Sequence, residues 1–120
     1  MIEFTRLNHV NICVPPERLE EAREFYASVI GLKPTHRPDV FGAPGYWFSI
    51  ADIELHIGIE PPKPESVRHV AFEVKDIDEV MKLLQQHNVK ILQEPVIPGR
   101  KRFSFLDPFG NRTELMQYND

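Results

Sequence analysis

Four side chains able to hold a divalent cation recur in this sequence at one fixed separation. His9 and His69 lie 60 positions apart, and so do Glu54 and Glu114. Each shares a local context with its mate: Leu7-Asn8-His9-Val10 answers to Val67-Arg68-His69-Val70, and Ile53-Glu54-Leu55 to Thr113-Glu114-Leu115. Neutral imidazole and carboxylate make an N,O donor set that suits Zn, Ni, Mn, Fe or Co as the divalent ion, and ligand softness alone does not choose among them. Cys13 is the only cysteine, so an internal disulfide and a thiolate-rich metal site are both excluded. A lone strand histidine is ordinarily structural or solvated, and a lone glutamate is ordinarily a surface residue. The repetition of both at one shift is what points to chemistry.

A common shift means an internal repeat, so the elements that carry these residues can be read twice. Each half runs as an alternating strand, a helical stretch and three more strand-like segments. The first helix is expected over residues 16–30, with Leu19, Ala22, Phe25, Tyr26, Val29 and Ile30 on its apolar stripe and Gly31 as its stop. The second is expected to start at Asp76, an N-cap with Glu79 three residues on, and to end near Asn88. Tyr46-Trp47-Phe48-Ser49-Ile50 and Arg102-Phe103-Ser104-Phe105-Leu106 read as aromatic strands, and Pro61-Pro62-Lys63-Pro64 as a stiff linker that cannot continue a ladder. The expected fold is α+β: two tandem βαβββ modules, residues 1–60 and 61–120, making curved mixed sheets around a shared cavity with the helices outside, all in one domain of 120 residues.

Side chains alternate across a strand, which sorts the faces. Val10, Ile12 and Val14 suit the underside of a helix, leaving His9, Asn11 and Cys13 on the reverse; in the repeat, Val70, Phe72 and Val74 oppose His69, Ala71 and Glu73. Along the fourth strand Glu54, His56 and Gly58 oppose Ile53, Leu55, Ile57 and Ile59, and in its repeat Leu115 opposes Glu114, Met116 and Tyr118. Facing modules would bring two histidines and two carboxylates into one concavity. His56 is the alternative fourth ligand, on the same face as Glu54 and one pleat away. The shift of 60 selects Glu54 and pairs His56 with Met116, so Glu54 is expected at the centre and His56 farther along, touching substrate or moving protons.

Fourteen basic and eighteen acidic residues leave a net charge of −4, which opposes a phosphate-neutralising surface and argues against nucleic-acid partners. No apolar run approaches the ~20 residues of a membrane span, and Met1 leads straight into a strand-like segment, so the cytoplasm is the expected location. Exposed sheet edges need covering, which makes a homodimer the expected assembly.

Several stretches together resemble the vicinal oxygen chelate superfamily, which includes glyoxalase I, fosfomycin-resistance thiol transferases, extradiol dioxygenases and bleomycin-resistance proteins. They are Leu7-Asn8-His9-Val10, Glu24-Phe25-Tyr26 with Ile30-Gly31-Leu32, Arg68-His69-Val70-Ala71-Phe72, and Phe105-Leu106-Asp107-Pro108-Phe109-Gly110-Asn111 leading to Glu114-Leu115. The resemblance covers nearly the whole chain. It implies a metal core of His9, His69 and Glu114, with Glu54 matching the acid that glyoxalase I adds from the fourth strand of its first module. Neither the glutathione-binding apparatus of glyoxalase I nor the potassium loop of the fosfomycin enzymes has a counterpart here, so the resemblance points to the site and leaves the reaction open.

The first function expected is a metal-dependent enzyme of the glyoxalase/dioxygenase type, a lyase, thiol transferase or dioxygenase, acting on a small oxygen-bearing substrate. Glu54 and Glu114 are its candidate catalytic carboxylates, with Glu54 as base. Asn11, Trp47, His56, Arg102, Phe103 and Met116 are the expected substrate contacts, Phe41 and Phe48 adding apolar wall and Arg37, Arg100 and Lys101 adding positive charge. The alternative is a metal-free binder of a small molecule or antibiotic in the same cleft. A regulatory module is a third reading, supported only by small size.

Overall fold

The computed structural model describes residues 1–64 and 66–119. The chain divides into two compact units, Met1–Pro62 and Lys63–Asp120, with the division inside the proline run. Both units have the βαβββ order, and the fold is α+β as expected.

In the first unit β1 (His9–Val14) leads into a helical run, followed by β2 (Lys33–Thr35), β3 (Tyr46–Ile50) and β4 (Ile53–Ile59). The sheet order is β1-β4-β3-β2, with β1 and β4 parallel and the other pairs antiparallel. A parallel pair needs a long crossover. The helical run supplies it, delivering the chain to β2 at the far edge, from which two antiparallel connections return it to β1. Pro34 is tolerated because β2 is an edge strand.

The run itself departs from the single helix read from the sequence. It is a 3₁₀ turn (Pro16–Arg18), a short helix α1 (Leu19–Glu24) and a π turn (Phe25–Val29). The wider π turn changes the helical phase, and the adjacent Phe25 and Tyr26 are both buried along with Leu19 and Ala22. Gly31, at φ +84°, ends the run as expected. α1 packs against β4, over a core that includes Val14, Phe48, Leu55 and Ile57.

The second unit comprises β5 (His69–Glu73), α2 (Ile77–Gln86), β6 (Lys90–Gln93), β7 (Arg100–Leu106) and β8 (Arg112–Tyr118), in the sheet order β5-β8-β7-β6. Asp76 caps α2 by accepting from the Glu79 amide at 3.4 Å, and Asn88, at φ 59°, follows its end. The turn before β8 is built around the buried Asp107. Its Oδ1 accepts from the amides of Phe109 and Asn111 at 2.9 and 2.8 Å, and its Oδ2 accepts from Asn111 Nδ2 at 2.9 Å. Ile77, Leu84, Phe103, Phe105 and Leu115 form the core, with α2 packed against β6 and β8. Among the described residues no helix is long and apolar enough to cross a membrane.

Candidate functional site

In the second unit, alternation places His69, Glu114, Arg102, Ser104, Arg112 and Met116 on one face of the sheet. His69 Nδ1 lies 2.8 Å from the Val67 carbonyl oxygen. A carbonyl only accepts, so Nδ1 carries the hydrogen and the neutral ring keeps its lone pair on Nε2. That nitrogen is 3.3 Å from Glu114 Oε1. Two acceptors facing each other at this distance call for a proton or a metal ion between them.

The first unit repeats the logic with other atoms. His9 Nδ1 is 2.9 Å from Asn8 Oδ1, which again leaves Nε2 with the lone pair. His56 Nε2 is 2.9 Å from Glu54 Oε1; a carboxylate accepts, so in this ring Nδ1 is the free nitrogen. His56 is buried and sandwiched, with the Trp47 ring at 4.0 Å and 2° on one side and the His9 ring at 4.0 Å and 19° on the other. Phe41 leans on Trp47 at 5.8 Å, and the Arg37 guanidinium lies 4.5 Å over Phe41.

The two ladders are not in the register that a shift of 60 implies. His9 pairs with Glu54 and Asn11 with His56, whereas His69 pairs with Arg112 and Ala71 with Glu114. Counted from the histidine of the first strand, the place of Glu114 in the second unit is taken in the first by His56. Burial agrees: His56 and Glu114 are buried, while Glu54 and Arg112 are half-buried. Contact agrees as well, since His9 stacks on His56 as His69 reaches Glu114, each across the same diagonal. Across the other neighbouring strand Glu54 keeps the place of Glu114, pairing with Ser49 as Glu114 pairs with Ser104, and it is hydrogen-bonded to His56.

Of the expected substrate contacts, Asn11 is exposed and Met116 is half-buried, beside Glu73 and Arg102 in the ladders. Phe103 is a correction. It is 1% exposed and pairs with Leu115, on the face opposite Glu114, so it belongs to the core. Phe48 is likewise core, paired with Leu55. Lys101 is tied to Asp78 at 3.1 Å, and Arg100 lies over Tyr118. Among the described residues no three His, Cys, Asp or Glu side chains gather as a metal-binding group; each unit by itself presents the donors described above.

Glu94 had no signal in the repeat. It accepts from the Ser104 hydroxyl at 2.7 Å, is ion-paired with Arg112, and lies 4.0 Å from Arg102. The Ser104 hydrogen bond first, and then the Arg112 hydrogen bond, hold its carboxyl below the usual carboxylate range. A lowered folded-state value means that this stability is present above the unfolded value of about 4.3 and is lost as pH falls through the lower folded value. Glu94→Gln is therefore expected to be less stable than the parent at pH 7 and pH 5, with the difference shrinking below about pH 4. Urea melts at pH 7, 5 and 3 check this; a difference unchanged at pH 3 would show that the Glu94 charge plays no part.

A family model described as Glyoxalase/Bleomycin resistance protein/Dioxygenase superfamily matches residues 6–115. The chain is 44% identical over 132 residues to the uncharacterized protein YaeR of Escherichia coli (strain K12), covering 98% of this chain and 99% of that one. The structure is similar to that of a protein assigned to the glyoxalase family from Bacillus anthracis, with a TM-score of 0.87, 34% identity, and 99% and 100% of the two chains covered. It is also similar to a mutant of the fosfomycin resistance protein FosX from Listeria monocytogenes, complexed with Mn(II) and 1S,2S-dihydroxypropylphosphonic acid. There the TM-score is 0.83 at 17% identity, with 98% and 95% of the chains covered, a likeness of fold alone.

Proposed function

Because the chain belongs to the glyoxalase/bleomycin resistance protein/dioxygenase superfamily, we propose that it is a metal-dependent enzyme acting on a small oxygen-bearing molecule held on a divalent ion. The observation that carries this reading is the placement of His69 Nε2 at 3.3 Å from Glu114 Oε1 while Nδ1 is occupied by the Val67 carbonyl. An N,O donor set of this kind fits Zn, Ni, Mn, Fe or Co. The Mn(II) in the complex of the FosX relative is consistent with that fit. His9, His69 and Glu114 are the donors proposed first. The β1–β4 register by itself favours His56 as the fourth, with Glu54 fixing its tautomer, while the β3–β4 register keeps Glu54 as the alternative donor.

When bound, the ion would supply Lewis acidity to a substrate oxygen. The side chains divide the remaining work. Glu114 is 8% exposed and ion-paired to Arg102, so it is held in one orientation. Glu54 is 37% exposed and bonded to an imidazole, so it is the carboxylate placed to take a proton from substrate and pass it to water. Trp47 with Phe41 offers a flat apolar wall, and Asn11 and Met116 offer further contacts. The reaction classes that suit these parts are isomerisation, thiol addition and oxygenation. The same reading takes the protein as a cytoplasmic homodimer.

Metal content of untagged protein purified without added metal tests the proposal, with His56→Ala and Glu54→Gln beside the parent. The parent is expected to retain a divalent ion. Removing a ligand should cost more than removing its outer partner, whose loss typically costs 10–100-fold, so His56→Ala is expected to bind at least about tenfold more weakly than Glu54→Gln. Trp47, the only tryptophan, reports the titration through its stack on His56. A parent that takes up no metal yet binds a small molecule would replace the enzyme by the binding protein, and a reversed order of the variants would restore Glu54 as ligand.

A further inference from the structure

We propose that Arg102 is a positioning residue that clamps the outer oxygen of Glu114 and so aims its inner oxygen at the metal side of His69, a role that rests on the metal reading above. Arg102 Nη1 lies 3.3 Å from Glu114 Oε2, and the opposite oxygen, Oε1, is the one 3.3 Å from His69 Nε2. The carboxylate is thus held at both ends by different groups. Pinned at Oε2, it cannot turn to offer both oxygens to one ion or swing away, so it is presented as a single-oxygen donor.

The clamp is itself anchored. Arg102 Nη2 donates to the Pro95 carbonyl oxygen at 2.9 Å, and Nη1 is 4.0 Å from Glu94 Oε2. Glu94 is in turn fixed by the Ser104 hydroxyl and by Arg112. The Arg102 side chain is 13% exposed, so solvent screens this contact far less than a surface pair. A guanidinium serves two partners in a fixed plane, which the point charge of lysine cannot reproduce.

Coulomb's law gives the test its sign. A buried positive charge beside a ligand repels an incoming cation, so an Arg102 without a positioning role would weaken metal binding and its removal would tighten it. Positioning predicts the opposite.

Co²⁺ titrated into the metal-free parent, Arg102→Gln and Arg102→Lys, followed by calorimetry and by the visible absorption of the bound ion, separates the two. The expected result is a loss of about 10–100-fold in affinity for Arg102→Gln, the usual effect of removing an outer partner, with Arg102→Lys between it and the parent. Urea unfolding of the same metal-free proteins, with Glu114→Gln and the double variant completing a cycle, is expected to show the Arg102 and Glu114 substitutions to be non-additive.

If Arg102→Gln does not fold, Arg102→Lys decides alone: weaker binding than the parent with an altered spectrum upholds the role, and parental binding overturns it. Affinity unchanged or increased in Arg102→Gln overturns the positioning role while leaving the metal reading intact, and so does an additive cycle. A parent that takes up no Co²⁺ overturns the metal reading and the positioning role with it.

Discussion

Alanine in place of His69 is expected to strip the protein of its metal while leaving it folded. The imidazole contributes little to packing, since the side chain is 39% exposed and its Nδ1 bonds a backbone carbonyl, that of Val67. A substitution at such a place should change stability by no more than about 0.5 kcal/mol. The cost to binding is of another order. His69 Nε2 is the nitrogen set opposite Glu114 Oε1, and without it the second unit offers one carboxylate oxygen where it had offered nitrogen and oxygen. Loss of an outer partner already costs 10–100-fold in affinity, so loss of the ligand should exceed about 100-fold. His9→Ala should behave alike, because the Nδ1 of that ring is occupied by Asn8 and its Nε2 is the donor lost. Elemental content of the purified proteins and direct titration provide the measurement. Parental metal content in both variants would remove these histidines from the site.

Phe103→Ala is expected to cost the protein a large part of its stability. Phe103 is 1% exposed and pairs with Leu115 across the β7–β8 ladder. Truncating a buried phenylalanine costs about 3–5 kcal/mol, from lost transfer energy and the cavity left behind. Domains have about 5–15 kcal/mol in total, so at least a fifth of the stability should go. Phe103→Leu keeps much of the volume and should lose less than Phe103→Ala. Urea unfolding with an unchanged slope would attribute the loss to the native state. The experiment also tests the correction made above, since a substrate contact would lose ligand binding with little loss of stability. A Phe103→Ala variant within about 0.5 kcal/mol of the parent would place the ring outside the core.

The repeat, the order of elements and the sorting of strand faces were legible in the sequence because each is local. Alternating apolar residues mark a strand whatever it pairs with. Asp76 with Glu79, Gly31 and Asn88 mark helix ends through their own backbone and hydrogen-bonding chemistry. The chemistry-bearing face of each strand followed from parity, and His9, Glu54, His56, His69 and Glu114 all lie on the faces that parity assigns them.

Tertiary structure decided the register. A slip of two residues keeps every side chain on its own face, so a pattern of period two is blind to it, and matching Glu-Leu pairs at a shift of 60 could not reveal that the β5–β8 ladder sets Glu114 beside Ala71. The parallel ladders decide it, since the antiparallel ones set Glu54 opposite Ser49 and Glu114 opposite Ser104 alike despite the unequal turns before β4 and β8, Ala51-Asp52 against the five residues closed on Asp107. Knowing the register also moves Phe103 into the core, because its pairing with Leu115 ties it to the apolar face. Glu94 lies in the connection between β6 and β7, where no periodic pattern applies, and only the folded chain brings it to Ser104, Arg102 and Arg112. The clamp on Glu114 depends on Arg102 contacts that span 7 to 12 positions in sequence, and their convergence is a property of the sheet rather than of any one strand.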